Sequence, residues 1–208
     1  MSTGFFKVPQ PTNEPIYSYA VGSSERQLLQ DTLHTLRNKQ VEVSMRIHGK
    51  SVQGSKKVAM TAPHDHQHIL GYYYEGGKKE IAEAIESALS AKVAWAALTW
   101  QERVSIFLKA ADLSANKYRM ELNARTMLGQ SKNAYQAEID SACEWVDFLR
   151  FNAHYAAQIY ADQPISSPGV WNRLEYRPLE GFVYALTPFN FTAIAGNLPA
   201  APAMMGNT

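Results

Sequence analysis

Gly181-Phe-Val-Tyr-Ala-Leu-Thr-Pro-Phe-Asn-Phe-Thr-Ala-Ile-Ala-Gly-Asn-Leu-Pro-Ala-Ala-Pro-Ala-Met-Met-Gly-Asn-Thr208 is the stretch on which the fold turns. Its apolar run, residues 182–186, has the length and composition of a buried strand and breaks at Thr187-Pro188. Asn190 then falls where that strand ends, and the small residues from Ala193 onward suit a helix packed closely on a sheet. Ligands of open α/β sheets bind at the carboxyl ends of strands, so a carboxamide at Asn190 is well placed for chemistry. No further strand follows before Thr208, so the stretch reads as a domain begun and not completed.

Upstream of this point the chain changes character several times. Residues 1–22 are rich in Pro, Ser and Asn and read as an extended arm. Residues 24–36 carry Leu28, Leu29, Leu33 and Leu36 on one side of a short amphipathic helix. Val41-Glu-Val-Ser-Met-Arg-Ile47 alternates as a strand before a His48-Gly49 turn, and residues 69–74 form a second strand candidate. Four helices are then predicted. Residues 78–98 carry a stripe of Ile81, Ala84, Ile85, Ala88 and Leu89. Thr99-Trp-Gln-Glu102 has the form of a capping box, opening a helix with Val104, Phe107, Leu108 and Ala111 inside. Residues 117–128 end at Gly129 as a C-cap, and residues 133–161 read as one long helix closed by Pro164. The buried stripe of that last helix is Ile139, Cys143, Val146, Leu149 and Ala153. Trp171-Asn-Arg-Leu-Glu-Tyr-Arg177 alternates like an exposed strand in need of a partner edge.

Composition narrows the function classes. At 208 residues with 46% hydrophobic and 19% charged residues, the chain is large enough and apolar enough to bury a core. A net charge of +1 gives no electrostatic case for nucleic-acid or membrane partners. One cysteine rules out an internal disulfide framework and fits a reducing compartment. No apolar run reaches the ~18 residues of a membrane span. Met1-Ser-Thr-Gly-Phe-Phe-Lys-Val-Pro9 has neither a signal-peptide core nor the arginines of a transit peptide. Cytoplasm is the expected location, or the mitochondrial matrix if the source is eukaryotic.

Thr187-Pro188-Phe189-Asn190-Phe191 resembles the Pro-aromatic-Asn-aromatic motif of aldehyde dehydrogenases, in the form found in the branch that oxidises glutamate γ-semialdehyde, the 1-pyrroline-5-carboxylate dehydrogenases. Further similar blocks are Leu179-Glu-Gly-Phe182, Phe107-Leu-Lys-Ala-Ala-Asp112, Thr126-Met-Leu-Gly-Gln-Ser-Lys132, Gln136-Ala-Glu-Ile-Asp140 and Phe148-Leu-Arg-Phe-Asn152. The resemblance runs from about residue 13 to the C-terminus. It implies an α/β fold: the N-terminal part of an aldehyde dehydrogenase, with helices and hairpin strands over residues 23–163 and an oligomerisation strand over 164–180. Residues 181–208 would be the first strand and the start of the first helix of a Rossmann-like NAD-binding core. It also implies NAD as cofactor, a small-molecule substrate and a homo-oligomer. In the family's chemistry a cysteine thiolate adds to the aldehyde, hydride passes to NAD, and a glutamate-activated water hydrolyses the resulting thioester. The nucleophile and the base would lie beyond Thr208, so the chain alone is expected to be inactive. A different semialdehyde dehydrogenase, or a short non-catalytic helical binding module, are the alternatives.

Particular residues carry that chemistry. Asn190 matches the family's oxyanion stabiliser, a neutral N–H donor aimed at charge growing on a carbonyl oxygen. Local sequence alone equally allows an asparagine capping the next helix. Thr187, Pro188 and Phe189 match the stretch that approaches the nicotinamide side of the cofactor. No G-x-G-x-x-G follows the strand, but aldehyde dehydrogenases use a different cofactor contact. Glu144, with Phe148 and Phe151 one and two turns later, matches a carboxylate at the substrate entrance able to meet an ammonium group, and Phe191 matches an aromatic of the same tunnel. Cys143 lies on the buried stripe without a flanking basic residue, and is read as core and not as nucleophile. His64-Asp-His-Gln-His68 has the look of a metal site, but Pro63 puts a turn there and no metal is expected.

Overall fold

Thr99 and Glu102 form the capping box the sequence announces: Thr99 Oγ1 accepts from the Glu102 N–H (3.3 Å) and Glu102 Oε2 accepts from the Thr99 N–H (2.8 Å). The helix they open, α3 below, is central to the packing of the molecule. The computed structural model describes residues 4–208; the first three residues of the expected arm lie outside the described residues. Residues 4–22 run extended into α1 (Ser24–Arg37), capped by Ser23. Short strands β1 (Val41–Val43), β2 (Met45–Ile47) and β3 (Lys50–Val52) precede the longer β4 (Lys56–Ala62) and β5 (Asp65–Glu75). Helices α2 (Lys78–Ala97), α3 (Trp100–Ala115) and α4 (Arg119–Gln130) follow, then α5 (Ala134–Ala137), a π-helical segment (Glu138–Cys143), α6 (Glu144–Ala161) and, after a long extended stretch, α7 (Thr192–Met204).

β5 is the middle of a three-stranded sheet, with β1 parallel on one side (Val41 opposite Gly71) and β4 antiparallel on the other (Val58 opposite Tyr73). β2 and β3 make a separate hairpin, and its two-residue turn places His48 at φ +51° and Gly49 at φ +71°. Both positive values are what a tight hairpin turn of matching twist requires. The predicted strand over 41–47 is therefore two strands serving two sheets, split at Ser44. β4 was not predicted.

The helical core lies between α3, α6 and α7, where Val104, Ala153, Ala156 and Met204 form one buried cluster and Ala111, Ala115, Val146 and Leu149 another. The apolar stripes read for α3 and for the α6 half of the long helix thus face inward as expected, with Phe107 and Leu108 partly buried beside them. α7 is held at its carboxyl end by side chains: Arg103 Nε donates to Met204 O (3.1 Å) and Trp95 Nε1 donates to Ala203 O (2.8 Å). Those carbonyls are among the orphans of a helix C-terminus, and a guanidinium also complements the negative end of the helix. Gly196 is where α7 touches α6: a Cβ there would sit 2.5 Å from the ring of Trp145. Trp145 cannot easily give way because its Nε1 donates to Ser114 Oγ (3.0 Å). Gly196→Ala is expected to cost about 1–3 kcal/mol through overpacking, measured as a shift of the urea midpoint; an unchanged midpoint would show that the two helices have slack.

Four expectations need correction. The 133–161 helix is interrupted by the π segment, whose wider turns no residue pattern announces. α4 does not end at Gly129; it continues to Gln130, and Ser131 takes the left-handed C-cap position at φ +56°. The α2 stripe is not buried, with Ile81 58% and Leu89 45% exposed, because no element of the described chain covers that face. The apolar run 182–186 pairs with no strand among the described residues, whereas residues 171–177, read as exposed and in need of a partner edge, are indeed exposed and pair with none. Phe182, Tyr184 and Leu186 are accordingly exposed, and Val183 N–H donates to Thr208 O (2.7 Å).

Candidate active site

The arm is pinned by charge. Arg119, at the start of α4, is fully buried and donates to Glu138 of the π segment (Nε to Oε1, 3.2 Å, with a second contact from Nη2), to Glu14 Oε1 (2.5 Å) and to Pro15 O (2.5 Å). The other oxygen of Glu14 accepts from Arg150 Nη1 (2.5 Å). Glu138 Oε2 also accepts from Tyr19 Oη (2.6 Å) and Asn123 Nδ2 (2.6 Å), and Oε1 from the Tyr17 N–H (2.8 Å). The Tyr17 ring lies 3.8 Å from the guanidinium carbon of Arg119. Two carboxylates face two guanidiniums, so the cluster is neutral, and the most buried charges, Arg119 and Glu138, each keep several partners, the condition under which buried ions are tolerated. Burial alone would push the Glu138 carboxyl up; hydrogen bonds from Arg119, then Tyr19 and the Tyr17 N–H, outweigh it and hold the group below the usual carboxylate range. The Tyr19 hydroxyl is pushed up by burial and by Glu138.

This network builds one wall of a cleft of about 740 Å³. Asn13, Glu14 and Ile16 of the arm line the cleft together with Glu144, Phe148 and Phe151 of α6 and with Phe191 before α7. Asp147 ties the arm to α6: its carboxylate accepts from Asn13 Nδ2 (2.7 Å) and from the Glu14 N–H (2.7 Å). Among the described residues Glu144 takes part in no ion pair. Lys132 pairs with Asp140 instead (2.8 Å) and lies 4.0 Å from the centre of the Phe191 ring. Burial, and then the charge of Asp140, push the Glu144 carboxyl up, with Lys132 holding it partly back. The cleft therefore offers an aromatic slot with two carboxylates, Glu144 and Asp147, that take part in no ion pair among the described residues; Asp147 is already engaged by Asn13 and the Glu14 N–H, and Glu144 is left to attract a cationic group on an otherwise apolar chain.

Glu144 and Phe191, paired in the sequence reading, do line the same cleft. Asn190, one residue from Phe191, is exposed at the turn before α7, and the N-cap of that helix is Phe191, with no side-chain cap bond. The carboxamide of Asn190 does not cap α7. Thr187, Pro188 and Phe189 precede it in extended and turn conformation, outside the cleft, with Phe189 93% exposed. Cys143 is buried beside Glu138 and Arg119, and its thiol is pushed up to about 12, chiefly by burial and then by the charge of Glu138. A thiol so placed is protonated at neutral pH. His64 Nδ1 lies 2.8 Å from Ser131 Oγ.

The arm's part in the cleft, and the Arg119–Glu138 pair behind it, were missed by sequence reasoning. Glu138 lies five residues before Cys143, which on a regular helix is a different face, so periodicity gave no hint that both are buried together.

The structure and the motif at Pro188-Phe189-Asn190 can be set beside the aldehyde dehydrogenase family. The family model matches residues 50–208, and the chain belongs to that family. Its relatives are more particular. It is 52% identical over 204 residues to the mitochondrial delta-1-pyrroline-5-carboxylate dehydrogenase of Emericella nidulans, covering 97% of this chain and 36% of that protein. The human mitochondrial protein of the same name is 44% identical over 195 residues, covering 94% of this chain and 35% of that one. The crystal structure of the Mycobacterium tuberculosis delta-pyrroline-5-carboxylate dehydrogenase bound with NAD superposes with a TM-score of 0.98 at 50% identity, covering all of this chain and 39% of that one. The chain thus spans under two-fifths of the length of the relatives it matches. Among the described residues, no helix is long and apolar enough to cross a membrane.

Proposed function

We propose that this chain is the N-terminal part of an NAD-dependent dehydrogenase that oxidises L-glutamate γ-semialdehyde, formed from 1-pyrroline-5-carboxylate, to L-glutamate in proline breakdown. The observation that carries the reading is the uncompensated Glu144 carboxylate in an aromatic cleft beside Phe191. An amino-acid aldehyde has the matching shape: a short apolar chain with an ammonium group at the far end from the carbonyl. The names of the relatives support the same substrate.

Within this reading Glu144 meets the ammonium, Phe191 packs on the aliphatic chain, and Asn190 donates an N–H to the carbonyl oxygen as negative charge grows there. The exposed ring of Phe189, beside exposed Thr187 and half-buried Pro188, suits the flat face of a nicotinamide ring, so these residues would form the cofactor-side wall. Bound NAD supplies the hydride acceptor. Cys143, buried and protonated, does not serve as nucleophile. The segment 164–180, with Trp171 96% exposed and Ile165 91% exposed, would pair with a second copy in a homo-oligomer. Cytoplasm, or the mitochondrial matrix for a eukaryotic source, is the proposed location.

Glu144→Gln in the full-length enzyme tests the substrate. It keeps the shape and removes the charge, so kcat/KM for the amino-acid aldehyde should fall about ten- to a hundredfold, the worth of one partly desolvated charge-assisted contact. A plain aliphatic aldehyde of similar length should be nearly unaffected. Equal losses for both would make Glu144 a structural residue, and no loss for either would make it a solvated one; both outcomes contradict the proposal.

A further inference from the structure

The turn that carries Asn190 has little of its own to hold it. Residues 187–190 are extended or in a turn, largely exposed, and α7 begins at Thr192 without a side-chain cap. Yet a hydrogen-bond donor stabilises a developing charge only if it is held in place before the charge appears. What fixes the turn is a second element, the carboxyl end of α4. Thr126 Oγ1 lies 2.7 Å from Thr192 Oγ1, and Gln130 Nε2 donates to the same oxygen (3.0 Å). Gln130 Oε1, buried, has no partner among the described residues, so the side-chain amide is held there by its bond to Thr192. Just past the helix, Ser131 in the left-handed conformation (φ +56°) turns the chain, and Lys132 Nζ comes to lie 4.0 Å from the Phe191 ring centre while pairing with Asp140. Lys132 is only 13% exposed, so the cation–π contact and the ion pair are both partly shielded from water.

From this geometry we infer that Lys132, with Thr126 and Gln130, forms a clamp that positions the Asn190 turn, and that Lys132 is a positioning residue of the reaction. Three side chains from one helix end grip the two residues that follow Asn190, on both the ring of Phe191 and the hydroxyl of Thr192. Through Asp140 the same lysine joins the turn to the π segment that leads into Glu144. The two ends of the proposed substrate site are therefore referenced to one rigid point, and Lys132 touches neither the carbonyl nor the ammonium. The inference rests on the reading of Asn190 given above.

The test is a double-mutant cycle in the full-length enzyme, with the glutamate semialdehyde as substrate. Lys132→Met keeps most of the unbranched stem, one atom shorter, and removes the cation; it should lower kcat by about ten- to a hundredfold, the range expected when a reacting group is displaced by about an ångström. The KM for NAD and the melting temperature should change little, and Lys132→Arg should restore most of the rate. If the lysine acts through the turn, the double variant Lys132→Met/Asn190→Ala should be no slower than Asn190→Ala alone. Thr126→Val, which removes the other side of the clamp, should show the same lack of additivity and serves if Lys132→Met fails to fold. An unchanged kcat in both variants, or losses that multiply with that of Asn190→Ala, would overturn the clamp. If Asn190→Ala itself leaves kcat unaltered, it is the oxyanion reading that fails.

Discussion

Asn190→Ala in the full-length enzyme is expected to lower kcat by about 10²–10³, equivalent to about 2.7–4 kcal/mol of lost transition-state stabilisation. The loss should fall on kcat, with NAD affinity almost unchanged, because on the proposed reading the carboxamide acts on charge that exists only after the aldehyde is attacked. Single-turnover measurements of hydride transfer would separate this effect from product release. Asn190→Asp should be at least as damaging, since a carboxylate would repel the developing charge. The geometry sharpens the expectation: the side chain is exposed at the turn and does not cap α7, so its removal breaks no cap of that helix. A change confined to KM would mean that the residue only orders the loop.

The largest stability effect should come from Glu138→Ala. That substitution leaves Arg119, whose side chain is 2% exposed, without its main counter-charge, and strips Tyr19, Asn123 and the Tyr17 N–H of their shared acceptor. Removing one partner of a buried pair typically costs about 3–5 kcal/mol, enough to unfold many domains. Urea unfolding of the purified variant measures it, and a loss under about 1 kcal/mol would mean that Glu14 and water compensate the arginine. The same carboxyl makes stability depend on pH with a definite sign. Its folded value is lowered, so its contribution is fully present above the ordinary carboxylate range, about 4.3 for a free glutamate, and is lost as pH falls through the lowered folded value. Wild-type stability should therefore fall in acid more steeply than that of Glu138→Gln.

Local chemistry was legible wherever it is decided locally. The Thr99–Glu102 capping box, the His48-Gly49 turn, the start of α1 after Ser23 and the inward faces of α3 and α6 rest on side chains that act within a few residues. Less was legible where the deciding partner is remote or absent. β4 carries Val58, Met60 and Ala62 on alternate positions, but Ala59 between them and the two lysines before them blur the alternation. Gly129 looked like a cap because glycine takes positive φ without strain, yet it is Ser131 that takes it, two residues on. The apolar stripe of α2 and the 182–186 segment were read as buried because their side chains call for burial; nothing in the described chain buries them. Glu144 and Phe191, singled out in the sequence, line one cleft. The arm that walls it and the lysine behind Phe191 were not found, since contacts between residues more than a hundred apart, or around a π turn, leave no period to read.

The pinned arm also sets an order of events during synthesis. Glu14 waits for Arg119 and Arg150, which lie 105 and 136 residues further along the chain. At ordinary translation speeds of about 5–20 residues per second, that is a delay on the order of 5–30 s. Through that interval Glu14, Tyr17 and Tyr19 have no counterpart, and α1 leaves the ribosome before the α4 surface it will cover. The arm is thus made well before the surfaces on which it docks. The cleft, lined by that segment and by α6, can form only once α6 has emerged, so its completion comes late in the folding of this part of the chain.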